Sequence, residues 1–214
     1  MREAFHGDLA RLGEQLTGMC GRAAQAMRWA TCALLTANLA LAEQVLAGDA
    51  GMDAQRRECE EHAYSLLALQ APVAGDLRSV LAAVYCAEKI ERMGDLAAHV
   101  ADTARFNHPD HVVPAEVEDS FAELGWITAD MADRVGALVT TAQAGFADLD
   151  HTDGQVDALH AHILATLTAP TWPHGVRAAT SLALLARFYE RFADQAVSVA
   201  KRLEFAVTGS LPSA

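Results

Sequence analysis

Glu91-Arg92-Met93-Gly94-Asp95 recurs 99 positions later as Glu190-Arg191-Phe192-Ala193-Asp194. Each copy sets two carboxylates at i and i+4, one turn apart on one face of a helix. The offset carries the surroundings with it. Asp49 aligns with Asp148, Glu58 with Asp157, Glu61 with His160, Ala87 with Ala186 and Val100 with Val199. The chain therefore reads as a duplicated unit whose acidic clusters were duplicated with it.

The residues between those acids decide the fold class. Apolar residues make up 52% of the 214, yet only 6% are aromatic, so Ala, Leu and Val must fill the core. That composition suits close-packed helices, and no sustained period-2 alternation argues for strands. Leu9, Leu12, Leu16, Met19, Met27, Leu34, Leu35, Leu39 and Leu41 form a stripe that predicts a first helix from about Ala4 to Ala47. Gly48-Asp49-Ala50-Gly51 predicts a turn, and Asp53 a cap for a second helix that ends near Leu69, before Pro72. A third helix is expected from near Asp76 to about Arg105, and a fourth from about Ala115 to Phe146. Asp148 to Asp153 predicts a polar turn, followed by a fifth helix from about Gly154 to Leu167. A sixth from about Val176 to Val207 stops at Gly209 and Pro212. The expected fold is all-α: two tandem antiparallel three-helix bundles related by internal duplication, 1–108 and 109–214, divided at Asn107-His108-Pro109-Asp110.

Charge narrows the function. The balance of 16 basic against 28 acidic residues leaves −12, which argues against nonspecific nucleic-acid binding and against docking on anionic lipid. It suits cations or a basic protein partner. Cys20, Cys32, Cys59 and Cys86 form no CxxC pair; they read as buried free thiols of a reducing cytosol, not as a zinc-finger set. The acidic start Met1-Arg2-Glu3-Ala4-Phe5-His6 has no apolar signal region. No uncharged apolar run reaches the ~18 residues of a membrane span.

Positions 77, 81, 84, 88, 91, 95 and 99 form one stripe: Leu77, Leu81, Val84, Glu88, Glu91, Asp95 and His99. An apolar face thus turns acidic halfway along a helix. If the chain doubles back near position 73, Asp53 and Glu58 come level with Glu88, Glu91 and Asp95. The second half repeats this with Asp153 and Asp157 facing Glu190 and Asp194. Converging carboxylates repel unless a cation or protons intervene. Hard oxygen ligands suit magnesium, calcium, manganese or iron. His160, three after Asp157, and His99, four after Asp95, can share those faces. The same letters also describe an exposed helix with intrahelical ion pairs. Trp172, Phe188, Tyr189, Phe192 and Phe205 read as core.

The two five-residue motifs resemble the paired E(D)xxxD motifs of the PhoU family. Pro72-Val73-Ala74-Gly75-Asp76-Leu77-Arg78 is similar to that family's segment between its second and third helices, and His174-Gly175-Val176-Arg177 and the stretch Arg187 to Asp194 are similar to actinobacterial members. The resemblance covers nearly the whole chain. It implies a cytoplasmic, non-enzymatic regulator that holds down phosphate uptake and the phosphate-starvation response, linking the ATPase subunit of the phosphate-specific ABC transporter to a sensor histidine kinase. Recruitment to the inner membrane face would be through those partners, with no direct insertion, and a homodimer is a candidate assembly. It also implies multinuclear iron or zinc on Glu91, Asp95, Glu190 and Asp194, with magnesium or manganese as alternatives. Counting their neighbours, the candidate metal set is Glu91, Asp95, Glu190, Asp194, Glu88, Glu58, Asp157 and Asp153. Leu96 and Gln195 stand where many members have His, and Ala193 replaces a frequent Gly. Arg187 is the repeat partner of Glu88, so the 91/95 position is the stronger metal candidate.

Two other readings compete. A ferritin-like diiron carboxylate oxidase needs two Glu-x-x-His pairs, and this chain offers one Asp157-x-x-His160, matched by Glu58 and Glu61. A metal-free helical interaction module would share the fold.

Overall fold

The structure is a computed structural model that describes residues 2–212. Six helices follow in order: α1 (Arg2–Thr36), α2 (Leu39–Gln70), α3 (Ala74–Asn107), α4 (Ala115–Thr141), α5 (Phe146–Leu167) and α6 (Gly175–Thr208). Among the described residues there is no strand, as the composition predicts. Helices α1 and α3 pack on each other, α1 also on α4 and α3 also on α6; α2 lies on α1 and α3, and α5 on α4 and α6. The two triplets thus share a central layer of α1, α3, α4 and α6, with α2 and α5 on its flanks. No helix is long and apolar enough to cross a membrane, among the described residues.

Two expected boundaries are wrong, and wrong in the same way. The first helix ends at Thr36 rather than Ala47, because Ala37 takes φ 50° and the Asn38 side chain accepts a hydrogen bond from Leu41 N–H. That is a cap. Gly48 to Gly51 then lies inside α2, and Asp53 is a mid-helix residue rather than a cap. The buried positions Ala42, Val45, Met52, Cys59, Ala63 and Leu66 continue at helical spacing through both glycines; tertiary packing of that face outweighs glycine's cost of about 1 kcal/mol. In the second half, α4 stops at Thr141 and α5 starts at Phe146, so Asp148 to Asp153 is helical and not a turn. The N–H groups of Gly145 and Phe146 both donate to Glu204 Oε2 of α6, each at 3.2 Å. A cap supplied from 58 residues away leaves no local signal.

Small residues set the helix spacing. Ala23, Ala24, Ala30 and Ala33 of α1 and Ala97 and Ala101 of α3 are wholly buried, which lets backbones approach closely. The α1–α4 contact is tightest at Gly125, where an added Cβ would lie 2.4 Å from Thr31 side-chain atoms, and at Gly136, where it would lie 3.2 Å from Cys20 Cβ. Thr31 has little room to yield, since its hydroxyl is 3.0 Å from that of Tyr189, both buried. Tyr189 and Phe192 fill the core between the halves as expected, and Phe188 and Trp172 pack at its edge. Cys20, Cys59 and Cys86 are buried thiols, but Cys32 is exposed, against the expectation for all four. Burial pushes the Cys20 thiol up to about 12 and that of Cys59 to about 11, so neither is a ready nucleophile.

Gly125→Ala is expected to destabilise the fold by about 1–3 kcal/mol through overpacking at Thr31. Gly154→Ala, whose Cβ would meet nothing within 4 Å, is expected to hold or raise the melting temperature. Thermal melting of the two variants beside the parent chain checks both; a Gly125→Ala protein melting with the parent would refute the tight seam.

Candidate functional site: two acidic clusters

In the first half, α2 and α3 run antiparallel from the short connection at 71–73, and Met52 packs on Gly94. That register places Asp53 against Glu91, and Asp49 and Asp53 near Asp95. Burial, then Asp95, then Asp53 push the Glu91 carboxyl up to about 7, and Arg56 opposes them. Asp95 is raised by burial and by Asp49, with His99 opposing. Arg56 stands at the rim, 2.8 Å from Glu60 and 4.0 Å from Asp53.

The second half builds the same site from α5 and α6. Asp153 is pushed up to about 7 by burial, then by Asp157, Asp194 and Glu190, with Asp150 adding to them. Glu190 is 9% exposed. It is raised by burial and Asp194 and opposed by Arg187, with which it is ion-paired. Asp194 is raised chiefly by burial. Asp153 Oδ1 and Glu190 Oε2 are buried with no hydrogen-bond partner. An acceptor in that state costs about 1–3 kcal/mol unless something meets it.

Of the eight candidate metal residues, Glu91 lies near Asp95, and Asp153, Asp157, Glu190 and Asp194 lie near one another. Glu58 and Glu88 do not join the first cluster. Glu58 is exposed with an oxygen 3.9 Å from Arg11, and Glu88 pairs with Arg92 at 3.5 Å. Two residues went unrecognised. Asp49 lies one turn before Asp53, and Asp150 one turn before Asp153, each on the acid-facing side of its helix; reading turns there hid the spacing. The repeat offset also differs between the paired helices. Asp53-Ala54-Gln55 matches Asp153-Gly154-Gln155 at 100 positions, not 99. His160 sits near Arg187 and Asp157, with its basicity lowered first by burial. His99 stacks on Phe188 and lies near Asp95 at the α3–α6 seam.

The donors are hard oxygens, which suit small or oxygen-loving cations, and the orphaned oxygens of the second cluster face no protein donor. Among the described residues, however, no three His, Cys, Asp or Glu side chains are gathered closely enough to form a ready ligand set. A cation here would draw the carboxylates inward. Each cluster uses two helices of one triplet, whereas a ferritin-like diiron centre draws on four helices.

Doubled three-helix units joined through a central layer, each carrying an acid cluster on its hairpin, define a class of internally duplicated all-helical protein. The model of the PhoU domain matches residues 16–104 and 121–203. The chain is 47% identical over 99% of its length to the phosphate-specific transport system accessory protein PhoU homolog 1 of Mycobacterium leprae, covering 96% of that protein. It is 46% identical, over 99% of its own length and all of the relative's, to PhoU homolog 2 of Mycobacterium tuberculosis. The crystal structure of the phosphate transport system regulatory protein PhoU from Streptococcus pneumoniae superposes with a TM-score of 0.86 at 21% identity, over 98% of this chain and all of that one. That of PhoU from Pseudomonas aeruginosa gives 0.86 at 23%, over 96% of this chain and all of its own. This chain belongs to the PhoU family.

Stability should depend on pH through these acids. Carboxyls titrating near 4 in the unfolded chain and about 7 in the fold at Glu91 and Asp153 bind more protons when folded. Their contribution is complete below the unfolded value and is lost as pH rises through about 7. In chelator, the protein is expected to melt at lower temperature at about pH 7.5 than at about pH 5.5. A double variant Glu91→Gln, Asp153→Asn should lose most of that difference; an unchanged pH slope in the variant would show that these acids do not set it.

Proposed function

We propose that this chain is a regulatory accessory protein of phosphate-specific transport. It acts without catalysis, as a cytoplasmic adaptor between the ATPase subunit of a phosphate ABC transporter and a sensor histidine kinase. In this reading it holds down phosphate uptake and the starvation response when phosphate is plentiful. The observation that carries the proposal is the 46–47% identity, across 99% of the chain, to proteins named for that transport system. The acidic surface and the exposed apolar ends of the helical hairpins, including Leu69 and Val73 in one half and Val176 in the other, suit protein partners better than nucleic acid. Switching would be a shift of the adaptor between its partners, not a chemical step.

We further infer that the two clusters take hard cations, with iron, magnesium, manganese or zinc as the candidate ions. Asp53, Glu91 and Asp95 would hold one, and Asp153, Asp157, Glu190 and Asp194 the other. A bound cation would replace the protons that burial forces on Glu91 and Asp153 and fix the α2–α3 and α5–α6 registers.

Deleting the gene, together with any paralogue, is expected to switch on phosphate-starvation genes in high-phosphate medium, measured with a transcriptional reporter; repression that survives would defeat the adaptor reading. Elemental analysis of the purified protein should find a bound ion that Asp95→Asn and Asp194→Asn deplete. Absence of any ion, with no melting shift on adding divalent cations, would remove the metal from the account.

A further inference from the structure

Beside the first acid cluster, and sharing Asp95 with it, the seam between α3 and α6 forms an open pocket of about 140 Å³. Arg92, Asp95 and His99 line it from α3, and Phe188, Arg191 and Gln195 from α6. Arg92 and Arg191 hold the same place in the two motif copies, so the duplication itself brings one guanidinium from each half to the seam. In a helix each Arg points about 100° around from the Glu beside it, which is how one motif serves an acid cluster and the seam at once.

The groups in the cavity form an unusual set for a chain of net charge −12. Two permanent cations and an imidazole face one carboxylate. Among the described residues Arg191 closes no ion pair, though its charge bears on Asp194. Arg92 has only the half-exposed Glu88 at 3.5 Å. The His99 ring, which lines the pocket, is stacked on Phe188, with centroids 5.1 Å apart and planes 23° apart. Gln195 adds a side-chain amide whose Oε1 is buried with no hydrogen-bond partner. Turned over, that amide presents N–H donors at the same place. A polar wall with an unmet amide and a free guanidinium calls for a polar ligand.

Asp95 makes the cavity selective. A tetrahedral oxyanion suits guanidinium donors, but a carboxylate beside it accepts a hydrogen bond only from an anion that carries a proton. Phosphate at neutral pH has a P–OH to donate; sulfate has none and meets Asp95 lone pair to lone pair.

We propose that this seam binds protonated inorganic phosphate: Arg92 and Arg191 meet its charge, His99 and the Gln195 amide donate to its oxygens, and its own O–H donates to Asp95. The site lies between the halves, so its occupant ties α3 to α6. The inference does not rest on the adaptor reading, and a failed repression assay would leave it standing.

The test is calorimetric titration of the full chain, in chelator so that no metal-held phosphate contributes, with phosphate, sulfate and phenyl phosphate at matched ionic strength. Phosphate is expected to bind and sulfate not to. R191Q and R92Q should each weaken binding at least about tenfold, the size of one lost charge-assisted hydrogen bond. D95N should erase the preference over sulfate. R105Q, an exposed arginine paired with Asp102 outside the cavity, should bind as the parent does. R191Q carries the test if R92Q fails to fold, since Arg191 closes no ion pair among the described residues. The proposal is overturned if millimolar phosphate gives no heat, if sulfate binds equally well, if phenyl phosphate binds more tightly than phosphate, or if a folded R191Q retains parental affinity.

Discussion

Small side chains between the halves set the distances on which the other features depend. Gly125 and Gly136 on α4, eleven residues apart and so about three turns on one face, let α1 lie against α4 with no room for a methyl group at Thr31. Ala97 and Ala101 on α3 and Ala193, Ala196 and Ala200 on α6 are buried at 1% exposure or less. With the central helices held this close, the polar residues beside the small ones have few places to go. Glu91, Glu190 and Asp194 lie near acids of the flanking helices α2 and α5, while Arg92, Arg191 and Asp95 line the seam.

Much of this was legible in the chain. The duplicated motif announced paired carboxylates, the Ala-rich composition announced close-packed helices, and reflection about residue 73 brought Asp53 to Glu91 within a turn. Glycine misled where it was read as punctuation. Gly48 and Gly51 look like a turn, yet the buried series from Ala42 to Leu66 runs straight through them. Asn38 gave the true signal, a capping residue after Leu34 and Leu35, and the continuing leucine stripe masked it. The start of α5 had no readable signal, because its capping oxygen belongs to Glu204. Those two errors concealed Asp49 and Asp150. Glu58 and Glu88 were over-assigned because level along a helix does not specify direction around it, and each has an arginine on its outer side.

The electrostatics of the two halves differ more than their folds do. The first cluster is bordered by Arg56, which divides its attention among Asp53, Glu60 and Glu91. In the second, Arg187 is committed to Glu190, yet Asp153 is still pushed up to about 7, first by burial and then by Asp157, Asp194 and Glu190. Trading Glu88 for Arg187 therefore did not make the second cluster mild. In both halves burial and neighbouring acids raise a carboxyl to about 7, well above its ordinary range.

Helix α6 acts as a ruler. It carries Glu190 and Asp194, and ten residues beyond Asp194 it carries Glu204, which clamps the first turn of α5. One rigid rod thus dictates both where the facing helix begins and which of its acids stand opposite. The phase of the second cluster is inherited from a carboxylate almost three turns away. One residue gained or lost along that length would rotate clamp and acids out of step by about 100°, so the spacing is a fixed dimension of the machine, as binding as any single ligand.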